Sequence, residues 1–257
     1  MRILMGNKKY EYDDLIFSLQ TKSSSVDFQV QSKCSTFLGS FEGAEANLSK
    51  IQKKYPDVEF ASLKQTHSSK VVEFDRNYDV EPLADAGITG RDGVAPLIKT
   101  ADCLPIMIAG LQSGVVGAIH AGWRGVADLI HLKAVELMKT KCSQQERFLC
   151  IVGPHIHQTS FEIEEPVLRI LAESAKNTGH PPEDYYYRRG NKFHFDLLKL
   201  VSHQLERRGI NKDDLIHIGG NTVSQSIWNS YRRDKENASR NLNFIFKTTR
   251  PVPWPTK

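Results

Sequence analysis

The chain has 257 residues, 40% of them hydrophobic, and 34 Lys and Arg against 30 Asp and Glu leave a net charge of only +4. A balance this even does not demand a nucleic-acid partner, and no run approaches the ~20 apolar residues of a membrane span. The first ten residues, Met1 to Tyr10, lack the apolar core of a signal peptide, so the cytoplasm is the expected compartment. No Pro-, Gly- and Ser-rich stretch, internal repeat or low-complexity tract divides the chain, and one domain over residues 1–257 is expected. Cys34, Cys103, Cys142 and Cys150 follow no framework spacing and are expected to be thiols, structural in all but Cys103.

In chain order, residues 58–63 read as a strand running toward His67. Cys103 opens the apolar run 104–109, a buried strand, and His120 closes a third strand over 115–119. Ala121-Gly122-Trp123-Arg124-Gly125 is a glycine-bounded turn. It feeds an amphipathic helix on which Val126, Leu129, Ile130, Ala134, Leu137 and Met138 recur at helical spacing. Residues 148–152 form a buried strand broken by Gly153-Pro154. Pro166 suits a first helical turn, with Val167, Ile170 and Leu171 on the inner face and Gly179 as the stop. Asp196 caps a last helix carrying Leu197, Leu198, Val201 and Leu205 and closed by Gly209. The pattern is a mixture of α and β elements.

His67, Cys103 and His120 thus sit at three strand ends, which are rigid mounts able to aim side chains into one cleft. A lone histidine or cysteine in such a place is usually structural. Three together, with Asp102 beside the cysteine and Arg124 past the second histidine, describe a metal site. No C-x-x-C doublet of a closed structural zinc site is present. The same residues allow a different chemistry, with Cys103 as nucleophile and His120 as its base in an amidase acting on a peptide-like or cell-wall-precursor substrate. A non-catalytic metal-binding or interaction module is the third reading.

Four segments carry a resemblance: Gln65-Thr66-His67, Asp85-Ala86-Gly87-Ile88-Thr89, Thr100-Ala101-Asp102-Cys103-Leu104-Pro105 and His120-Ala121-Gly122-Trp123-Arg124-Gly125. They resemble the signature of the YfiH-like family, the polyphenol oxidase or laccase-domain proteins, now regarded as purine nucleoside enzymes. Asn47-Leu48, Gly153-Pro154 with Phe161-Glu162-Ile163, Asp196-Leu197 and Ser230-Tyr231-Arg232-Arg233-Asp234 resemble further family blocks in order. The resemblance implies an α+β fold of mixed β-sheets packed as a sandwich flanked by helices. It implies a metal held by His67, Cys103 and His120, phosphorolysis of adenosine, inosine or methylthioadenosine, and adenosine deamination as a side activity. Nucleoside and phosphate are then the small-molecule partners. Family members often carry two later cysteines where this chain has Thr159 or Ser160, and Asn221.

Three protein ligands keep a fourth position open for water or substrate, as in catalytic zinc sites. Zinc is the expected ion and copper the alternative, because copper has the higher raw affinity. Laccase chemistry needs about four coppers held by several His-x-His pairs, whereas the nine histidines here supply only His155-Ile156-His157, which is left outside the site. Asp102 is expected to orient a metal-bound histidine or act as base. Arg124 suits phosphate, or else a helix-start ion pair with Asp128. Gln65, Asn47 and Arg232 are the candidate substrate binders, Gln65 chiefly as an orienting hydrogen-bonder, and Glu162 is a candidate proton carrier.

Overall fold

The computed structural model describes residues 14–20, 36–43, 47–218 and 220–248. Cys34 and the first ten residues lie outside them. Two large sheets are present. The first runs in the order β1 (Asp14–Gln20), β2 (Thr36–Glu42), β14 (Asn241–Thr248), β6 (Val94–Thr100) and β3 (Glu59–Ser62). The second runs β13 (Leu215–His217), β9 (Phe148–Val152), β7 (Leu104–Gly110), β8 (Val116–Ala121), β5 (Ala86–Thr89) and β4 (Val71–Glu73). A small third sheet orders β10 (Glu162–Ile163), β12 (Lys192–Phe195) and β11 (Tyr186–Arg189). Both large sheets are mixed, with parallel pairs β3–β6, β4–β5 and β9–β13 among antiparallel neighbours.

The near-continuous apolar runs of the sequence arise because the central strands are buried on both faces. Along β7, Leu104, Ile106 and Ile108 face the helices, whereas Met107 and Ala109 face the other sheet. Strand periodicity of two makes this division unavoidable. Ile98 and Ile245 of the first sheet complete the layer between the sheets, and Leu97, Phe244 and Phe246 pack on its far side against Ile51 and Tyr55. Helices α2 (Trp123–Ala127), α3 (Ile130–Lys139), α4 (Glu165–Ala175) and α5 (Leu197–Glu206) cover the outer face of the six-stranded sheet. The structure is therefore the α+β sandwich with flanking helices that the resemblance implies.

Local signals account for most helix ends. Asp196 accepts from the Lys199 amide at 2.9 Å to start α5, and Gly209, at φ 88°, follows its end. α4 begins with Pro166 in its first turn and passes through a 3-10 turn to Gly179 at φ 83°. Two expectations fail. Ile170, expected on the inner face of α4, is exposed, and Leu168 takes the buried position beside Leu171. The continuous helix expected from Val126 to Met138 is broken between α2 and α3, where Leu129 takes a left-handed conformation at φ 60°. Val126 before the break and Ile130 after it are both fully buried. Asn47 has a structural part to play: its side chain accepts from the Lys50 amide at 2.9 Å and caps α1 (Leu48–Lys54).

His131 on α3 is fully enclosed. Burial, opposed by Gln204, holds its pKa down at about 3 from 6.5. Below pH 6.5 the unfolded chain takes up a proton that the folded chain refuses until about pH 3, so stability falls through that window. His131→Leu should remove this sensitivity. The loss of unfolding free energy between pH 7 and pH 5, measured by urea titration, should shrink by about 2 kcal/mol in the variant.

Candidate metal centre

The antiparallel register of β7 and β8 sets Leu104 opposite Ala121 and Pro105 opposite His120. Cys103, just before β7, is thereby brought beside the end of β8. The loop after β3 brings His67 to the same point. The ligand atoms of His67, Cys103 and His120 all lie within 4.8 Å of one another, and the two histidine rings meet edge to face with centroids 4.8 Å apart. His120 is buried and His67 exposed, so the centre opens to one side only. Gly122 makes the convergence sterically feasible. A Cβ there would lie 3.1 Å from His67 Cδ2 and 3.2 Å from Cys103 Sγ, closer than ordinary packing allows.

The carboxylate that organises the centre is Asp85, which is fully buried. One oxygen accepts from His120 Nδ1 at 2.8 Å and from the His67 amide at 2.9 Å. The other accepts from the Thr66 amide at 3.1 Å and from both the amide and the hydroxyl of Ser68 at 2.7 Å. Fixing Nδ1 leaves Nε2 of His120 for a metal or for Cys103. Burial would raise the Asp85 pKa, but these bonds, led by that to His120, hold it well below the usual carboxylate range. Burial likewise opposes charge on Cys103 and on His120. The pair nevertheless stabilise each other's ions, with help from Asp85 and His67, lowering the thiol to about 6 and raising the imidazole to about 9. The thiolate is ready to bind, and a metal would displace the proton shared with the oriented His120 ring, so the donor set fits a borderline ion and its binding would release that proton.

The centre opens into a cleft of about 580 Å³. That is within the roughly 300–1,000 Å³ usual for small-molecule sites. Trp123, Phe161 and Tyr231 give it aromatic walls, and Lys64, Lys99, Arg232 and Arg240 outnumber Glu81 and Asp102 in its lining, with Glu81 3.9 Å from Lys99. Arg232 donates its amide to Asp102 Oδ2 at 2.6 Å and one guanidinium nitrogen to the Glu162 carbonyl at 3.0 Å.

Several expected roles change. Asp102 lines the cleft, but its oxygens accept from Thr222 Oγ1 and the Arg232 amide, both at 2.6 Å, so it ties the β7 entrance to α6 (Tyr231–Asp234) and orients no histidine. Gln65 also lines the cleft, yet both ends of its amide bond the Lys99 backbone at 2.7 and 2.8 Å. It braces the wall. Arg124 is exposed, stacked 4.3 Å over the Trp123 ring, and is not among the cleft-lining residues. Among the described residues it forms no ion pair with Asp128 either. Glu162 contributes its backbone carbonyl rather than its carboxylate. Arg233 is structural, donating to the carbonyls of Thr222 at 2.7 Å and Trp228 at 2.8 Å. Asn221 Nδ2 donates to Ser160 Oγ at 2.8 Å. Cys142 and Cys150 are free thiols pushed up by burial, in keeping with structural roles.

An open thiolate and imidazole centre at the junction of two mixed sheets, facing a cationic cleft, defines a class: a metal-competent α+β protein with a small-molecule site. Residues 42–248 match the family described as multi-copper polyphenol oxidoreductase laccase. The chain belongs to this family, the YfiH-like laccase-domain proteins. Among its relatives, a purine nucleoside phosphorylase of Clostridium acetobutylicum is 27% identical over 92% of this chain and 94% of its own length. Adenosine deaminase RL5, from an unknown prokaryotic organism, is 32% identical over 44% of this chain and 47% of its own. The YfiH protein of Bacillus licheniformis has the same fold, with a TM-score of 0.72 at 18% identity, covering 82% of this chain and 92% of that one. No helix among the described residues is long and apolar enough to cross a membrane.

Proposed function

We propose that this chain is a zinc-dependent purine nucleoside phosphorylase acting on adenosine, inosine or methylthioadenosine, with adenosine deamination as a side activity. The observation that carries the reading is the opening of the His67, Cys103 and His120 centre into a cleft with aromatic and cationic walls. The names of the relatives supply the substrate class. Zinc is preferred because three protein donors with an open fourth position are the arrangement of catalytic zinc sites, and when bound it would supply Lewis acidity at the cleft floor.

In phosphorolysis a phosphate oxygen forms a bond to the ribose C1′ while the C1′–N9 bond breaks and its electrons leave with the purine. Positive charge builds on the sugar. Lys64, Lys99, Arg232 and Arg240 are placed to gather and hold the phosphate, and Trp123, Phe161 and Tyr231 offer faces for the base. Asp85 keeps His120 in one tautomer and one orientation, and Gln65 keeps the Lys99 segment in place.

The mutual stabilisation of the Cys103 thiolate and the His120 imidazolium also favours a second reading, a cysteine amidase. The two are separated by assaying phosphate-dependent release of hypoxanthine from inosine, together with the metal content of protein purified without added metal. Formation of hypoxanthine and ribose 1-phosphate by metal-loaded protein supports the phosphorylase. Inactivity on every nucleoside, with Cys103 trapped by a peptide-like electrophile in metal-free protein, overturns it.

A further inference from the structure

A second convergence of histidines lies outside the centre just described. His155 and His157 follow the Gly153-Pro154 break at the end of β9, and His217 ends β13, whose parallel register sets it opposite Val152. One ring nitrogen of each lies within 4.8 Å of the others. The backbone fixes this arrangement: His155 bridges Asn221, its amide reaches the Gly220 carbonyl at 3.3 Å, and the Thr222 amide returns to the His155 carbonyl at 3.0 Å. We propose that His155, His157 and His217 form a second metal site, one that takes a borderline divalent transition ion such as zinc through three imidazoles and leaves its fourth position open.

Three independent features point to a cation rather than to ordinary packing. The buried His155 ring bonds the Gly153 carbonyl through Nδ1 at 2.8 Å, which makes that nitrogen the donor and presents the lone pair of Nε2 to the cluster. His157 Nε2 is buried without a hydrogen-bond partner, an uncommon condition that coordination would relieve. The three rings are tilted at 44–58° to one another rather than stacked. His180 and His203 show the contrast, stacked at 3.9 Å and 22° as packed rings do.

Ionisation agrees with the geometry. Burial lowers the pKa of all three, His155 to about 3, and so keeps them neutral, as ligands must be. Asp196 adds a negative charge felt by His157 and His217. Imidazoles without a cage of oxygens select zinc, copper, nickel or cobalt over magnesium or calcium. Zn–N bonds of about 2.0–2.1 Å in tetrahedral geometry require nitrogens about 3.4 Å apart, so modest side-chain adjustment closes the site. An ion there would pin the turn between His155 and His157. That turn carries Ile156, which lines the cleft and whose amide bonds the Asp102 carbonyl at 2.9 Å, so the second site would stiffen one wall of the first.

The test is titration of chelator-treated protein with cobalt(II) alone, read by equilibrium dialysis and absorption. Wild type should bind two equivalents, one of which produces a thiolate-to-cobalt charge-transfer band. His217→Ala, an exposed position, should bind one equivalent and keep that band. His157→Gln should do the same, and Cys103→Ala should bind one equivalent without the band. Equal stoichiometry in wild type and both histidine variants would overturn the second site. Failure of the first centre reads differently: the thiolate band would be missing while the His217-dependent equivalent persisted.

Discussion

Cys103→Ala is expected to lower kcat/KM for inosine phosphorolysis by about a thousandfold or more, since loss of an activating metal forfeits several kcal/mol of transition-state stabilisation. The variant should also lose one equivalent of bound metal. The cause is local. Cys103 is the only one of the three that can be an anionic donor, and its thiol is held at about 6 by His120 and His67 against the effect of burial. Alanine removes that charge and the softest donor together, leaving His67 and His120 as a two-point site. The fold should tolerate the change, because Cys103 precedes β7 and belongs to none of the hydrophobic clusters. Steady-state kinetics beside metal analysis reads both effects. Wild-type turnover by a variant lacking that equivalent of metal would exclude Cys103 from the reaction.

Asp85→Asn should damage both stability and the centre. The aspartate accepts at both oxygens, from three consecutive backbone amides, the Ser68 hydroxyl and His120. An asparagine must turn an NH2 group toward donors on one side, so at least one buried N–H is left facing another. An unfolding free energy lower by about 3 kcal/mol is expected, seen as a fall in Tm of roughly 8 °C. Metal affinity should weaken by about 10–100-fold as the His120 ring loses its anchor. The readout that separates positioning from bulk destabilisation is metal affinity at a temperature where the variant is fully folded. Unchanged affinity there would show that Asp85 serves the fold alone.

Nothing in the sequence marks Asp85 as the partner of His120. Its segment was recognisable as a block, and Cys103 and His120 were readable because they stand at the ends of the legible apolar strands β7 and β8, whereas His67, expected at a strand end, lies in the loop between β3 and β4. The partner of His120, however, is decided by strand register. Ala86 pairs with Ile119 across β5 and β8, which sets Asp85 opposite His120, whereas the neighbour in sequence, Asp102, turns away toward Thr222. Sequence proximity was a poor guide to contact. The ends of α5 were legible because Asp196 and Gly209 carry their own conformational preferences. The break before α3 was not, since leucine has no inclination toward positive φ and tertiary packing imposes it at Leu129. The second histidine cluster needed His217, which only the parallel pairing of β13 with β9 brings near.

His67 and Asp102 both stand at positive φ, 58° and 90°. Neither is glycine, and each such conformation costs of order 1–3 kcal/mol. At His67 the Asp85 bonds to three successive amides offset that penalty, and at Asp102 the bonds from Thr222 and Arg232 do so. All of these bonds are made by protein groups alone. Because those bonds need no ion, chelator treatment is expected to empty the centre without unfolding the chain, which circular dichroism before and after treatment would check. Which ion resides there would then depend more on supply than on the pathway by which the chain folded.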